Sequence, residues 1–399
     1  MPFRLLIAGI NWPAETFLTR LVDGLVDSGV AVTIGSSRKP ADRMDRVEWL
    51  PTPTWEASAP IRITRLLGMA VRARLQGAAD LRLFAPSARE PGTMTGRWRV
   101  WNQLLPFAGR RWDAIYFPWN SASVSLLPVF DTPSPVVVSC RGTQVSVAPH
   151  NPSRVDINSG ITTTFQKAAL VHCVSEATMQ DACRLGLDPR KARIIRPAID
   201  PGMFSPAPAR RQPDGMFSVV TVGNLIWVKG HEWALLAMRR LVDTGVNVQF
   251  EIIGDGPDRQ RVRYTIEDLG LEKHVRLLGK LGAEKVLDRV RQADAFLLSS
   301  LSEGISNAVI EAMSCAVPVV TTDCGGMREA VTDGVEGFVV PVRDAEAMAT
   351  ALGKLAQDPA LRERMGQAGR QRVKRDFDLT RQIAQWLELF RGVAIPARV

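Results

Sequence analysis

The chain opens with Phe3–Ala8, an uninterrupted apolar run of the kind needed by a strand buried on both faces. Past a glycine turn at Gly9, the residues Phe17, Leu18, Leu21, Leu25 and Val26 fall at helical spacing across Phe17–Ser28. Gly29 stands where a helix C-cap belongs, and Val30–Ile34 reads as the next strand. That is a β-α-β unit of the parallel, doubly wound type. Further strands are expected at Ala114–Phe117, Val136–Cys140, Leu170–Val174 and Ala192–Ile195, while the stretch from Arg46 to Arg111 is less regular. Between Pro201 and Gly215, four prolines and two glycines in fifteen residues read as an interdomain linker.

The pattern then restarts. Strand Phe217–Val222 is followed by a glycine-containing turn, helix Glu232–Asp243 and strand Val248–Ile253. More strands are expected at Val275–Leu278, Ala295–Leu298, Pro318–Thr321 and Phe338–Val340, with terminal helices at Glu346–Gln357 and Thr380–Phe390. The fold expected is therefore α/β: two Rossmann-like, doubly wound domains facing a cleft, with ligands beyond the carboxyl ends of the strands. The boundaries expected are 1–203, 204–378 and a C-terminal helix in 379–399 that packs back on the first domain.

Composition narrows the class. With 46% hydrophobic and 23% charged residues, the chain is neither largely disordered nor collagenous nor a coiled coil. Its longest charge-free stretch, Ala114 to Phe130, holds Asn120, three serines and two prolines, so no span of about 20 apolar residues exists. Leu5–Ile10 is too short for a signal sequence, and a cytoplasmic protein is expected. Five cysteines at irregular spacing and four scattered histidines support neither a disulfide framework nor a zinc site. The net charge of +9 is uneven, because Met1–Ser205 carries 24 Lys and Arg against 16 Asp and Glu. Such an excess suits an anionic partner surface, or reflects only an arginine-rich coding bias. Between Ile61 and Leu75, Arg62, Arg65 and Arg72 share one helical face while Ile63, Leu67, Val71 and Leu75 spread over the other, the pattern either of an interfacial helix or of an amphipathic helix packed on its own domain with solvated arginines.

Three segments carry candidate chemistry. In Ser302–Met313, seven residues separate Glu303 from Glu311, and a helix should begin near Ser306 with Ser306 or Asn307 able to cap it. Glu303 then precedes a helix N-terminus, where unpaired N–H groups attract an anion. Glu311, inside the helix, is placed either to hold the hydroxyls of a diol or simply as an acidic residue early in the helix. Gly223–Gly230 lies between a strand and a helix and contains Lys229, one of only nine lysines, suited to a phosphate. Ile252–Pro257 carries Gly254 and Gly256 but lacks the last glycine of a dinucleotide fingerprint, so an ordinary turn explains it equally.

Taken together, these segments resemble glycosyltransferase family 4, the retaining sugar-nucleotide transferases of GT-B fold. Leu297–Asn307 with Glu311-Ala312-Met313 resembles the family's E-x7-E signature, continued by Ala316–Thr322, Gly325-Gly326, Glu329–Val331 and Asp333–Gly337. Val174-Ser175-Glu176, Arg196–Asp200 and Phe204 are similar to the family's approach to the linker, and Pro13–Phe17 resembles the opening of exopolysaccharide and colanic-acid-type enzymes. The resemblance implies that Glu303 meets the donor sugar and that Gly304, Ile305, Ser306 and Asn307 hold sugar and diphosphate through their backbone. It implies that Glu311 holds the ribose, Lys229 the diphosphate, and Gly279, Lys280 and Leu281 the base. Gly9, Asn224 and Gly254 are grouped with these donor contacts.

The family's usual arginine at the position of Asn224 is absent here, and Cys140-Arg141-Gly142 stands where many relatives have a histidine. Arg141 is expected to face the cleft and restore the missing charge, the alternative being an arginine that merely closes a turn against an acidic neighbour. It is grouped with Glu303 and Lys229 as catalytic. The implied activity is retaining, metal-independent transfer of a sugar from a nucleoside diphosphate sugar, with no other cofactor. The implied acceptor is a glycan or a polyprenyl-linked one, with possible contact to an anionic membrane and none to nucleic acid. A sugar-nucleotide-binding protein with little turnover is the rival expectation, for which Asn224 is the main support.

Overall fold

The computed structural model describes residues 1–43, 45–52, 60, 63–64, 67–69, 71, 104–152, 155–207 and 215–394. The chain divides into two compact units: Met1–Ile195 together with Ile383–Val399, and Arg196–Gln382. The first division therefore falls at Ile195/Arg196 rather than at 203/204. The reason is local: Arg196 is ion-paired to Glu329 at 2.8 Å, and Ile199 is bridged to Asp378, so both belong with the second unit. Residues 208–214 of the expected linker lie outside the described residues.

In the first unit the strands are β1 (Arg4–Ile10), β2 (Ala31–Ser36), β3 (Glu48–Pro51), β4 (Ala114–Phe117), β5 (Val136–Cys140), β6 (Leu170–Cys173) and β7 (Ala192–Ile194). They form one parallel sheet in the order β3-β2-β1-β4-β5-β6-β7. Leu5 to Ala8 and all four residues of β4 are buried, as apolar runs in a two-faced parallel sheet must be. Helix Thr16–Asp27 buries Leu18, Leu21, Val22 and Leu25. The last helix, Leu379–Val393, continues into this unit through Ile383, Trp386 and Phe390. Trp386 lies 5.0 Å from the Tyr116 ring and 4.5 Å from the His172 ring, and the Ile383 side chain fills the space left by Gly24.

The second unit holds β8 (Phe217–Val222), β9 (Val248–Ile253), β10 (Val275–Gly279), β11 (Ala295–Leu298), β12 (Val319–Thr322) and β13 (Gly337–Val340). Its order is β10-β9-β8-β11-β12-β13, again all parallel. In both units the order reverses beside the first strand, at β1/β4 and at β8/β11. Loops leaving the carboxyl ends of those neighbouring strands diverge to opposite faces and leave a crevice there. No helix among the described residues is long and apolar enough to cross a membrane.

Candidate functional site

The two sequence segments with the sharpest chemistry leave the two strands at the reversal point of the second sheet. The loop after β8 carries Lys229, and the loop after β11 carries Glu303. They are clamped together by backbone. Leu301 N–H donates to Val228 O at 2.7 Å, and Ser299 O–H donates to Lys229 O at 2.9 Å. Gly230 is left-handed, with φ of 60°, and a Cβ there would lie 2.2 Å from the Ser299 carbonyl oxygen. Only glycine allows both the conformation and the approach.

The clamp brings Lys229 Nζ to 2.6 Å from Glu303 Oε1, and Ser300 O–H donates to the same oxygen at 2.7 Å. Both side chains are mostly shielded, 22% and 13% exposed. The expected diphosphate contact and the expected sugar contact are thus held by each other. Beside them is Cys324, where burial pushes the thiol up to about 12 against the lowering effect of a Thr322 hydrogen bond. It stays protonated and adds no charge to the pair.

Past Glu303 the chain is packed against Gly325, whose φ is 54° and whose absent Cβ would lie 1.7 Å from the Glu303 carbonyl oxygen. Gly326 N–H donates to Gly304 O at 2.7 Å, and Ser306 N–H donates to Met327 Sδ. Helix Asn307–Ser314 then begins with Ser306 at the N-cap position, but the Ser306 side chain makes no capping bond. The buried Oδ1 of Asn307 has no protein partner either. The expected capping is therefore not made, and the helix-opening N–H groups keep their capacity for an anion. Glu311 sits half-buried one turn into this helix, close enough to raise the Cys315 thiol, which burial is already pushing up to about 11.

Gly254 is required by backbone packing. Its φ is 148°, and a Cβ would lie 1.8 Å from the Gly223 carbonyl oxygen. At Gly256 a Cβ would lie 2.4 Å from the Leu225 carbonyl oxygen. These glycines let the turn after β9 pack against the Lys229 loop, which Leu225 N–H to Asp255 O at 3.0 Å secures. Gly279 O accepts from Gly254 N–H at 2.9 Å, which ties the end of β10 to the same loop cluster; next to it Lys280 is exposed and Leu281 half-buried. Asn224 is exposed, and its backbone oxygen accepts from His231 Nε2 at 3.2 Å. Burial lowers the His231 pKa, so a neutral imidazole fixes the loop. Sequence reasoning overlooked His231 and Ser300, although each lies within three residues of a singled-out side chain.

Arg141 and Gly9 belong to the first unit. Gly9 lies within β1 rather than in a turn beyond it. A Cβ there would meet Ala122 at 2.9 Å and Phe117 at 3.2 Å, so close packing accounts for it. Arg141 follows β5; its guanidinium lies 4.0 Å over the Phe17 ring, with Nε donating to Pro118 O and Nη2 to the Tyr116 oxygen. Its charge also opposes the rise in Glu15 pKa that burial produces. Among the described residues, no cluster of three or more His, Cys, Asp or Glu side chains could hold a metal ion.

Comparison with known proteins bears on both units. The Glycosyltransferase Family 4 model matches residues 14–202, and the Glycosyl transferases group 1 model matches residues 208–372. WcaL of Escherichia coli, named for colanic acid biosynthesis, is 31% identical over 56% of this chain and 57% of its own length. AmsK of Erwinia amylovora, an amylovoran biosynthesis glycosyltransferase, is 31% identical over the same shares. The match thus spans about half the length of these curated relatives. The crystal structure of Anabaena HepE in complex with UDP is 16% identical, with a TM-score of 0.70 over 98% of this chain and 100% of its own. At that identity the likeness is one of fold. With a family model on each half and two doubly wound sheets beneath them, the chain belongs to the glycosyltransferases of GT-B fold, joining a family 4 half to a group 1 half.

Proposed function

We propose that this protein transfers a sugar from a nucleoside diphosphate sugar to a glycan or polyprenyl-linked acceptor, with retention of configuration, in cell-surface polysaccharide synthesis. The observation that carries the proposal is the Lys229–Glu303 pair at the β8/β11 reversal, beside a helix start that no side chain caps. Breaking the anomeric bond leaves charge on a diphosphate, and stabilising that charge is the main electrostatic task. Lys229 and the amides opening helix Asn307–Ser314 would supply the positive field without a metal. Glu303, released from Lys229, would accept a sugar hydroxyl, Glu311 would hold the ribose, and Gly279–Leu281 would flank the base. Arg141 would be a further cationic contact to the substrate. Relatives named for colanic acid and amylovoran synthesis support the polysaccharide assignment, and the UDP in HepE supports a nucleotide donor.

The direct test is incubation with a panel of nucleoside diphosphate sugars and a lipid extract, followed by product analysis with anomeric assignment by NMR. Inverted product would remove the retaining reading. Binding without any product or nucleotide release would favour a sugar-nucleotide-binding protein, the reading that exposed Asn224 supports. Within the site, Glu311→Ala should weaken UDP or GDP binding by about tenfold while changing kcat little, because a ribose contact is alike in ground and transition states. Calorimetric titration of the variant decides this, and an unchanged Kd would reduce Glu311 to a helix residue.

The acceptor side of the proposal includes an anionic membrane surface. Ile63, Leu67 and Val71, four residues apart on helical backbone, are 57%, 61% and 58% exposed. Thr64, Gly68 and Met69 instead line a cavity of about 360 Å³ with Trp49, Leu50 and Leu105, so an apolar stripe is turned outward. The neighbouring Arg62, Arg65, Arg72 and Leu75 lie outside the described residues. Each basic residue at an acidic leaflet contributes about 1 kcal/mol, screened by salt. Flotation with acidic vesicles at low salt should exceed that with neutral vesicles several-fold and fall at high salt. Equal recovery from both lipids would remove the docking surface.

A further inference from the structure

Three neighbouring strands of the first unit carry a chain of hydrogen bonds that sequence patterning did not reveal. His172 Nε2 lies 2.8 Å from the Ile195 carbonyl oxygen, and His172 Nδ1 lies 2.7 Å from Ser139 Oγ. Ser139 Oγ is 2.7 Å from the Tyr116 hydroxyl, which in turn accepts from Arg141 Nη2 at 3.2 Å. Tyr116 is on β4, Ser139 on β5 and His172 on β6, with Ile195 directly after β7. Ser139 and His172 are register partners across the β5–β6 pair.

The direction of every proton in this chain follows from its two ends. A carbonyl oxygen only accepts, so His172 Nε2 must carry the hydrogen. In a neutral imidazole Nδ1 then only accepts, so Ser139 must donate to it. The Ser139 oxygen is left to accept from Tyr116, and the Tyr116 oxygen to accept from a guanidinium that can only donate. No hydroxyl has a second choice. Tyr116, Ser139 and His172 are each at most 1% exposed, and Trp386 covers both rings, so water does not compete. Burial, and after it the charge of Arg141, lowers the His172 pKa to about 3 despite the Ile195 hydrogen bond. The imidazole therefore stays neutral across the working pH range, and the direction of the chain does not reverse.

At its other end the chain meets Arg141. Arg141 is half-buried, and its Nε and Nη2 bonds to Pro118 O and Tyr116, together with the Phe17 face, fix the guanidinium plane. Among the described residues, Nη1 makes no hydrogen bond to protein.

We propose that Tyr116, Ser139 and His172 are positioning residues for Arg141: a one-way donor chain, anchored on the Ile195 carbonyl, that holds the guanidinium in the orientation from which Nη1 meets an anionic group of the substrate. The proposal rests on the reading of Arg141 as a substrate contact. It adds that this contact is aimed from the buried sheet, by residues that touch no substrate.

Tyr116→Phe is the decisive variant, since it keeps the ring against Trp386 and deletes one hydroxyl. Ser139→Ala cuts the chain one link further on, and its turnover serves if Tyr116→Phe fails to fold. Each should lower kcat by roughly tenfold to a hundredfold, the scale of a misaimed catalytic contact. The donor KM should move much less than kcat, and the cut variants should share one pH profile with the wild type. In an Arg141→Ala background neither should lower turnover further, because residues serving one group are strongly non-additive. Severe damage from Arg141→Ala with near wild-type turnover in Tyr116→Phe and Ser139→Ala would overturn the positioning role while leaving Arg141 as a contact. Losses that simply multiply with Arg141→Ala would show a structural network only. Wild-type turnover in Arg141→Ala would overturn both the contact and its positioning.

Discussion

Replacing Glu303 by glutamine should cut turnover by about a hundredfold or more and, in the same protein, tighten the binding of UDP or GDP. The first effect follows from the proposed role of Glu303 as an electrostatic contact to the reacting sugar. The second follows from the geometry of the site without ligand. Lys229 Nζ is held 2.6 Å from Glu303 Oε1, so a diphosphate must take the ammonium away from a carboxylate before it can use it. With both side chains mostly shielded from water, that pair is worth more than an exposed one. Glutamine keeps the shape and the Ser300 hydrogen bond but removes the competing charge. Affinity should therefore rise a few-fold to about tenfold, the latter being about 1.4 kcal/mol. Lys229→Ala should move both quantities down together. It deletes the cation and leaves a shielded carboxylate facing any phosphate that enters. Calorimetry with UDP and GDP on the two variants, beside turnover of the preferred sugar donor, gives the comparison. Weaker nucleotide binding in Glu303→Gln would show that Glu303 itself contacts the nucleotide and does not hold Lys229 back.

Gly325→Ala should be the most damaging single methyl group in the second unit. Its Cβ would sit 1.7 Å from the Glu303 carbonyl oxygen, at a φ of 54° that alanine tolerates poorly. The backbone has to move, and Glu303 and the start of helix Asn307–Ser314 move with it. A loss of about 3 kcal/mol or more in unfolding free energy is expected, with turnover falling beyond what partial unfolding explains. Gly334 supplies the control. Its φ is 79°, yet a Cβ there would meet nothing within 4 Å. Gly334→Ala should cost only about 1 kcal/mol, the conformational part of the penalty, and leave turnover intact. Equal effects of the two substitutions on turnover would mean that the collision at Glu303 is relieved without disturbing the site.

The sheets were legible because their strands are continuous apolar runs. Ala114–Phe117, Val136–Cys140, Phe217–Val222 and Val248–Ile253 stand where the pattern puts them. Strand β3 was not, since Glu48-Trp49-Leu50-Pro51 is an edge strand with a charge at one end and a proline at the other. Helix Pro359–Asp376 also escaped notice, because its many Arg and Lys residues leave only Met365, Gly366, Gly369 and Val373 buried. At the site, spacing within one segment was readable, as with Glu303 and Glu311. Relations across segments were not. Nothing in the order of residues says that Lys229 and Glu303, seventy-four positions apart, occupy each other. Likewise Tyr116, Ser139 and His172 each look like one polar residue in an apolar strand, and only the register of three strands joins them.

The discontinuous first unit has a consequence for the order in which the protein is made. Arg196–Gln382 is one uninterrupted stretch, whereas the first unit needs Ile383, Trp386 and Phe390 from the far end of the chain. Until those residues leave the ribosome, Tyr116 and His172 lack the indole that covers them. The half translated first therefore finishes folding last, reversing the usual N-to-C order of domains during synthesis. A stop codon after Gln382 and before Trp386 would leave a complete second unit attached to an open seven-stranded sheet, a species with exposed apolar surface that chaperones and proteases would recognise.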